Sequence, residues 1–535
     1  MEKGKNYLMK HDLDNATQAF TEAIRIDPKS AEAHCWRGLA YSEKSDYAKA
    51  LADYDAAIGL NPRFTEAYFN RGNVYIAQGR LNQAISSYTE AIKVEPGAAS
   101  PYYGRADAYY RKRELDHAIQ DANEAIRLDP QNAQSFFLRG SVYRDKGEYD
   151  KAIADLSAAL RLDNKRPDVY YFRALAYADK GDFDKAIADC TEVIKLEPKN
   201  ADAYTTRAIA LISKGNVDKA MADANKAIDL DRKSPHAYCA RGRAYQKKGD
   251  NAKAITDYTE AIRVNNKFAD AYYDRALAYG DKGEFDKAIA DWTQVIELQP
   301  TNADAYAGRA LSLTSKGDLD AAIASANKAM ELNPKSPQAY SARGRAYKQK
   351  GDHDKAIADY TEAIQLNKKL ADAYHDRALA YVDKAEFDKA IADWTEVIKL
   401  EPKSANAYTS RALSLASKGD FDKAIADANK AIELDPKLPN AYYARGFAYE
   451  KKGETEKASE DYARERARLQ AATVGEERAQ GTGSVHLPGA GGFGINTIRT
   501  GTACHLIEYE LPAWFHPVRR PTEQELLSRS VENTR

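Results

Sequence analysis

The chain has 535 residues, of which 44% are hydrophobic and 30% charged, and its 79 Lys plus Arg nearly balance its 80 Asp plus Glu. A single compact core is not expected at this length, so the choice lies between several domains and a repeat array that grows in one dimension. The near-zero net charge argues against nucleic acid or an anionic membrane as partner, because both favour an excess of basic residues.

The four cysteines, at positions 35, 190, 239 and 504, are too widely spaced for a disulfide framework or a zinc-ligand pattern. We therefore expect a reducing compartment and no metal or other cofactor. The amino-terminal segment lacks the apolar run of a signal peptide, and no stretch approaches the length of continuous apolar sequence that spans a bilayer. The sequence thus predicts a cytoplasmic protein without membrane insertion.

A unit of 34 residues recurs along most of the chain. Rows of 34 that start at Ala31 align thirteen times without a gap, and a truncated row precedes them. Within a row, position 4 is usually Tyr, position 7 Arg, position 8 Gly or Ala, position 20 Ala, position 24 aromatic or small, and position 27 mostly Ala. In the row 269–302, both halves place apolar residues at helical spacing and Gly283 separates them. Each row therefore predicts a helical hairpin.

The period and these residues resemble the tetratricopeptide repeat, and the resemblance covers residues 1 to about 472. It implies an all-α, right-handed superhelical solenoid of helix-turn-helix repeats, with the handedness taken from the family. One departure is position 7, which carries Arg where the family pattern usually has Leu. Stacking on neighbouring hairpins would then stabilise each repeat, since a single hairpin cannot bury its apolar stripe alone.

The repeat pattern divides the chain into three parts. We expect a truncated repeat, then thirteen repeats, then a helical extension with a Gly-rich linker and a disordered tail, over residues 1–30, 31–472 and 473–535. A longer period of 102 residues gives three similar copies, at 167–268, 269–370 and 371–472. These copies would present similar surfaces to a long or repetitive partner, or they record gene duplication without a selected surface. The missing opening turn of the first repeat indicates either a start inside a longer array or a poor cap.

Two local features predict how individual hairpins begin and turn. Ser234-Pro235 and Ser336-Pro337 have the order of an N-cap followed by the first helical residue. Gly283 suits a left-handed helix end, but the next 102-residue copy has Ala385 at the same place. Alanine in that conformation costs about 0.5–1 kcal/mol relative to glycine.

Arg at position 7 recurs together with Asp at position 23, as in Arg173 with Asp189 and Arg275 with Asp291. We interpret this as a structural ion pair between the two helices of a hairpin, with the arginine stem along apolar surface. The alternative is an arginine ladder that grips an acidic ligand. The nearly matched set of aspartates disfavours it, because they would compete with that ligand.

The resemblance also implies a partner-binding groove. In the family, first helices build the inner surface, and positions 2, 5, 6, 9, 12 and 13 tend to face it. Carried over, these positions give an acidic class of row, a hydroxyl-rich class with Thr205, Thr206 and Ser213, and a basic class. The candidate groove residues are Asp270, Asp274, Asp281, Asp372, Asp376, Asp383, Arg243, Lys247, Arg345, Lys348, Tyr171, Tyr273 and His375. Alternating rows of this kind would select an extended or helical segment whose charges are spaced to match them. The alternative is that these residues are simply solvated polar faces.

No sequence motif in the chain indicates a catalytic site. Gly489, Gly491 and Gly494 satisfy G-x-G-x-x-G, but without the strand before and the helix after that a phosphate site requires. Cys504 and His505 lack a second ligand pair at metal spacing. We therefore expect a non-catalytic scaffold or adaptor that binds peptide or protein segments. The alternatives are a substrate-targeting or regulatory subunit of an enzyme complex and, more distantly, an RNA-binding helical repeat.

Overall fold

The computed structural model describes the backbone of residues 1–479 and the side chains of residues 1–468. The predicted linker and tail, the G-x-G-x-x-G segment and the Cys504-His505 pair lie outside the described residues. All regular structure within residues 1–479 is α-helical and forms α1 to α28. None of these helices combines the length and the apolar character needed to cross a bilayer.

The odd-numbered helices are the first helices of successive hairpins. Their bounds are α1 Glu2–Met9, α3 Ala31–Glu43, α5 Thr65–Ala77, α7 Ala99–Arg111, α9 Ala133–Asp145, α11 Pro167–Lys180, α13 Ala201–Ser213, α15 Pro235–Lys247, α17 Ala269–Asp281, α19 Ala303–Lys316, α21 Pro337–Gln349, α23 Ala371–Asp383, α25 Ala405–Lys418 and α27 Pro439–Lys452. The even-numbered helices are the second helices. Their bounds are α2 Leu13–Ile26, α4 Tyr47–Leu60, α6 Leu81–Val94, α8 Leu115–Leu128, α10 Tyr149–Leu162, α12 Phe183–Leu196, α14 Val217–Leu230, α16 Asn251–Val264, α18 Phe285–Leu298, α20 Leu319–Leu332, α22 His353–Leu366, α24 Phe387–Leu400, α26 Phe421–Leu434 and α28 Thr455–Ala479.

The described residues form two compact units. The first comprises residues 1–244 and the second begins at Tyr245, so the division falls within α15. Inside each unit, helices that follow one another along the chain pack together, and first helices of consecutive hairpins also pack against each other. Stacked helical hairpins of this kind are an all-α solenoid, which confirms the predicted fold class.

Side-chain caps determine where several first helices begin. Ser234 Oγ accepts a hydrogen bond from the backbone N–H of Ala237 at 3.3 Å, and Ser336 Oγ accepts one from Ala339 at 3.2 Å. Each bond satisfies a donor that the first turn of a helix leaves without an intrahelical partner. The two predicted Ser-Pro caps are therefore confirmed.

Small residues at position 8 allow the two helices of a hairpin to approach closely. A Cβ atom on Gly344 would lie 2.8 Å from the ring of Tyr360, which is the position-24 residue of the same hairpin and is fully buried. Gly38 and Tyr54 are related in the same way, at 2.9 Å. A larger residue at position 8 would overpack this contact, at about 1–3 kcal/mol.

The position-7 arginines form the predicted ion pairs. Arg275 donates from Nε and Nη2 to the two carboxylate oxygens of Asp291, at 2.8 Å each, and donates from Nη1 to Thr259 of the preceding hairpin at 2.9 Å. The same bidentate pair occurs at Arg37–Asp53, Arg105–Asp121, Arg139–Asp155, Arg173–Asp189, Arg207–Asp223, Arg343–Asp359, Arg377–Asp393, Arg411–Asp427 and Arg445–Asp461. One guanidinium thus joins three helices, and the structural interpretation of the pair is confirmed.

The turn between α23 and α24 carries a left-handed residue that is not glycine. Ala385 has φ +56°, whereas Gly283 has φ +72° at the equivalent place in the preceding copy. The predicted left-handed geometry of this corner is therefore confirmed. It is the less favourable of the two corners, because a Cβ atom disfavours this conformation.

We expect Ala385→Gly to stabilise the protein by about 0.5–1 kcal/mol, because glycine removes the Cβ penalty at positive φ. Urea and thermal unfolding of the intact chain measure the change. Gly283→Ala is the matched control and should destabilise by a similar amount. A lower unfolding midpoint for Ala385→Gly would contradict the strain at this corner.

Arg275→Ala should destabilise the protein by about 2–3 kcal/mol, because it leaves the buried carboxylate of Asp291 without its cation. Arg309 is the control, since its position-23 partner is Ser325, whose Oγ accepts from Nε at 3.2 Å. Burial lowers the pKa of both guanidinium groups, but Asp291 outweighs burial and raises the pKa of Arg275, whereas the pKa of Arg309 is lowered. Arg309→Ala should cost about 1 kcal/mol or less by the same unfolding measurement. Equal losses for the two variants would argue against a special role of the ion pair.

Candidate partner-binding groove

Consecutive first helices are joined by polar contacts between position 12 of one hairpin and position 13 of the next. Gln246 donates from Nε2 to Asp281 Oδ2 at 3.0 Å, joining α15 to α17. In the first unit, Tyr110 donates to Asp145 at 3.1 Å. Positions 12 and 13 of neighbouring first helices therefore lie on one shared surface. We call the surface formed by positions 2, 5, 6, 9, 12 and 13 the first-helix face.

A buried ion pair reinforces this surface in the first unit. Arg144 Nε and Asp179 Oδ2 lie 2.8 Å apart between α9 and α11, with side chains only 5% and 6% exposed. Position 12 is again paired with position 13. A cation and a carboxylate buried together require each other, because either alone would carry the cost of an uncompensated buried charge.

Two of the predicted basic residues pair with the acidic row that follows them. Arg345 donates from Nε to Asp376 Oδ2 at 2.5 Å, and Lys348 Nζ lies 3.7 Å from Asp383 Oδ2. Rows predicted to present opposite charges to a ligand thus partly neutralise each other within the chain. Their role in partner binding stays a prediction.

The predicted aromatic and imidazole rings at position 5 are held by contacts within the first-helix face or with a second helix. Tyr273 meets Trp292 edge-on, with ring centroids 4.8 Å apart, and His375 meets Trp394 in the same way at 4.9 Å. In the first unit, the Tyr171 hydroxyl lies 3.4 Å from the Thr206 hydroxyl, which donates to it. These three rings are half-buried.

The remaining predicted residues differ in exposure. Asp274 is buried, Asp270 and Arg243 are half-buried, and Lys247, Asp281, Asp372 and Asp383 are exposed. A ligand on the first-helix face would meet the exposed carboxylates directly. It would reach Asp274 only after side-chain movement, because a buried group is already covered by its neighbours.

Some residues of this face were not predicted from the sequence. The Arg144–Asp179 pair and the rings of Phe69, Tyr103 and Phe137 belong to it as well. The pair joins residues 35 apart in different rows, a spacing that a search within single rows does not reveal. The three rings could have been predicted from the sequence, since position 5 is aromatic in the four consecutive rows that begin at residues 65, 99, 133 and 167.

Family models match along nearly the whole described array. A model described as TPR repeat matches residues 4–45, 38–79, 140–181, 210–249, 245–283, 344–385 and 412–453. Models described as tetratricopeptide repeat match residues 69–133, 122–154, 167–200, 273–337, 326–358 and 371–404. The chain belongs to the tetratricopeptide repeat family.

Several solved structures are similar to this chain, whereas no curated protein matches it at a significant level. The APC/C hetero-tetramer Cut9–Hcn1 matches with 19% identity and a TM-score of 0.47, covering 83% of this chain and 95% of the other. Yeast Tom70 matches with 18% identity and a TM-score of 0.40, covering 79% and 100%. YrrB, described as a TPR protein with an unusual peptide-binding site, matches with 25% identity and a TM-score of 0.32, covering 34% and 95%.

The pair between Arg345 and Asp376 makes a pH-dependent contribution to stability. Burial raises the pKa of Asp376, but the charge of Arg345 and the hydrogen bonds from His375 and Arg345 outweigh burial and lower that pKa to about 2. A carboxylate whose pKa is depressed in the folded state stabilises that state above its unfolded pKa of about 4. The contribution is lost as the pH falls toward about 2.

Asp376→Asn should therefore destabilise the protein by about 1–2 kcal/mol at pH 7, a value discounted because the Arg345 side chain is 40% exposed. The difference from the unsubstituted protein should shrink between pH 4 and pH 2, as urea unfolding at a series of pH values would show. Asp372→Asn, on the same helix but outside the pair, is the control. A difference that stays constant with pH would contradict the assigned ion pair.

Proposed function

We propose that the protein is a non-catalytic scaffold or adaptor that binds peptide or protein segments along the first-helix face. The observation that carries this proposal is the continuity of that face within each unit. Side chains of consecutive first helices touch, as Gln246 and Asp281 do, so hairpins that are separate in sequence present one surface. Protein binding is the general role of tetratricopeptide repeats, and the family membership supports it here.

The mixture of charged, aromatic and hydroxyl side chains on this face suits recognition of a protein segment. Half-buried rings such as Tyr273 and His375 offer apolar contact area at a low cost in side-chain entropy. Exposed carboxylates such as Asp281 and Asp372 add charge selection, which contributes specificity and association rate more than affinity. The partner-binding residues proposed from the sequence thus remain candidates, with Arg345 and Lys348 acting through their paired carboxylates.

We also propose a reducing compartment such as the cytoplasm. Cys35 and Cys190 are buried free thiols, and Cys239 is buried as well. Burial raises the pKa of Cys35 to about 12, so its thiol stays protonated and weakly nucleophilic at neutral pH. These thiols serve as small core residues in the hairpins.

Two other functions make different predictions. A targeting or regulatory subunit of an enzyme complex would copurify with a catalytic subunit. An RNA-binding repeat would bind single-stranded RNA with an affinity that falls steeply as salt rises. The neutral overall charge favours a protein partner over RNA.

Selection of a random peptide library on the intact chain, followed by hydrogen exchange with a selected peptide bound, tests the proposal. Protection should concentrate in the odd-numbered helices, because they carry the first-helix face. Protection confined to even-numbered helices, or failure to select any saturable peptide, would count against the groove.

Charge substitutions sharpen this test. Exchanging the pair, with Arg345→Asp and Asp376→Arg in one chain, keeps the attraction but reverses the charge order of the two rows. Peptides that protect α21 and α23 should bind this variant at least about tenfold more weakly, which is about 1.4 kcal/mol. Lys423→Glu on second helix α26, where the side chain is 74% exposed, is the matched control and should leave binding unchanged.

A further inference from the structure

Four consecutive first helices of the first unit each present one aromatic ring at position 5. Phe69, Tyr103, Phe137 and Tyr171, on α5, α7, α9 and α11, form what we call the aromatic ladder. All four side chains are half-buried. In the second unit the corresponding series of rings is interrupted, because position 5 is Ala307 in α19 and Ser341 in α21.

The rings of the aromatic ladder are held by neighbours without being fully covered. Phe69 lies 5.7 Å from Tyr88 of the second helix in its own hairpin, measured between ring centroids. Phe137 meets Phe172 of the next first helix edge-on at 5.1 Å. Fixed and partly exposed rings offer contact area to a ligand with little loss of side-chain entropy on binding.

The spacing of the aromatic ladder selects among ligand conformations. Consecutive first helices contact each other, and packed helices lie about 8–10 Å apart, so we infer an interval of this size between successive rings. A polyproline II segment rises about 3.1 Å per residue with three residues per turn, so every third residue returns to the same side after about 9.3 Å. An extended strand repeats its facing side chains after about 6.6 Å, which does not match the interval.

A polar group beside the rings favours polyproline II over an α-helical ligand. Position 9, one helical turn after each ring, holds Asn73, Asp107 and Ser141 in the first three rows of the aromatic ladder. Asp107 accepts a hydrogen bond from Arg111, and the Ser141 hydroxyl donates to the backbone carbonyl of Phe137, so Asn73 is the one of these three that offers donors to a ligand. Asn73 Oδ1 accepts a hydrogen bond from the Tyr88 hydroxyl at 2.6 Å. Because this contact uses the amide oxygen of Asn73, its amide N–H groups can donate to other acceptors. A polyproline II backbone has no internal hydrogen bonds, so its carbonyl groups can accept hydrogen bonds from a binding protein. In an α-helix, most backbone carbonyl groups already accept hydrogen bonds within the helix.

Charge complementarity orients the ligand on the aromatic ladder. Glu66 is exposed at position 2 of α5, three residues before Phe69 and therefore on the same side of that helix. At the other end, Asp168 of α11 is already paired with Arg166 at 2.6 Å. A basic residue of the ligand would thus be attracted to the end beside Phe69.

We propose that the aromatic ladder binds a proline-rich segment in the polyproline II conformation. The four rings span three intervals, so the segment is about ten residues long, with proline at every third position and a Lys or Arg against Glu66. Aromatic-lined grooves suit this preformed conformation, since its ordering cost is already low. The inference rests on the proposed function, because it names a partner chemistry for one part of the first-helix face.

The test uses the full chain and a fluorescein-labelled synthetic peptide in which two lysines precede four Pro-Pro-Ala triplets, so that one proline can face each of the four rings. The reference peptide has the same length and charge but glycine in place of every proline. Fluorescence anisotropy should show saturable binding of the proline peptide and at least about tenfold weaker binding of the glycine peptide. Tyr103→Leu should weaken binding of the proline peptide at least about tenfold, whereas Tyr103→Phe, which keeps the ring, should retain it.

Two further variants serve as charge probe and control. Glu66→Lys should weaken binding of the lysine-flanked peptide and strengthen that of a glutamate-flanked peptide. Phe183→Leu removes a half-buried ring from second helix α12, away from the first-helix face, and should leave affinity unchanged, while circular dichroism checks that every variant is folded.

Equal binding of the proline and glycine peptides, unchanged affinity in folded Tyr103→Leu, or no saturable binding would overturn this inference. If library peptides still protect the odd-numbered helices, such a result leaves the proposed function standing with a different ligand. If the proline peptide does not bind and library peptides also fail to protect the odd-numbered helices, the first-helix face is refuted as a binding surface.

Discussion

The guanidinium of the position-7 arginine is the polar contact on which the stacking of hairpins depends most regularly. Arg275 reaches the carboxylate of Asp291 on its own second helix and the hydroxyl of Thr259 on the preceding one. Arginine suits this place because its planar fork engages a carboxylate bidentately and keeps a third donor for another helix. Hydrophobic burial drives the packing, while this contact sets how each hairpin is aligned with the one before it.

That use of arginine affects what the surface can offer a partner. Because Asp291 and its equivalents occupy the position-7 guanidinium groups, these arginines are not available to an acidic ligand. Arginines are also paired within the chain on the first-helix face, where Arg345 pairs with Asp376 and Arg144 with Asp179. Much of the charge that recurs in the sequence therefore serves to join helices, and the net charge of the chain is close to zero.

Under the proposed function, recognition would therefore depend more on rings and on the few exposed carboxylates than on a simple alternation of charge. The two units differ in this respect, since the aromatic ladder occupies four successive hairpins of the first unit. In the second unit, Tyr273 and His375 are separated by rows with small residues at position 5. One repeat sequence can thus support different ligand chemistries, because position 5 is less restricted by packing than the alanines and glycines at positions 8 and 20.

The sequence by itself determined the repeat length, the hairpin in each row, the Ser-Pro caps and the corner at Ala385. These features depend on contacts within one hairpin, so residue spacing is sufficient to predict them. It also determined the pairing of Arg275 with Asp291, because a recurring Arg and Asp sixteen residues apart must meet within a hairpin. Only the tertiary structure decided that Arg345 pairs with Asp376. The reason is physical: contacts between consecutive first helices depend on the stagger and rotation of whole hairpins, which side-chain packing sets and a 34-residue period does not encode.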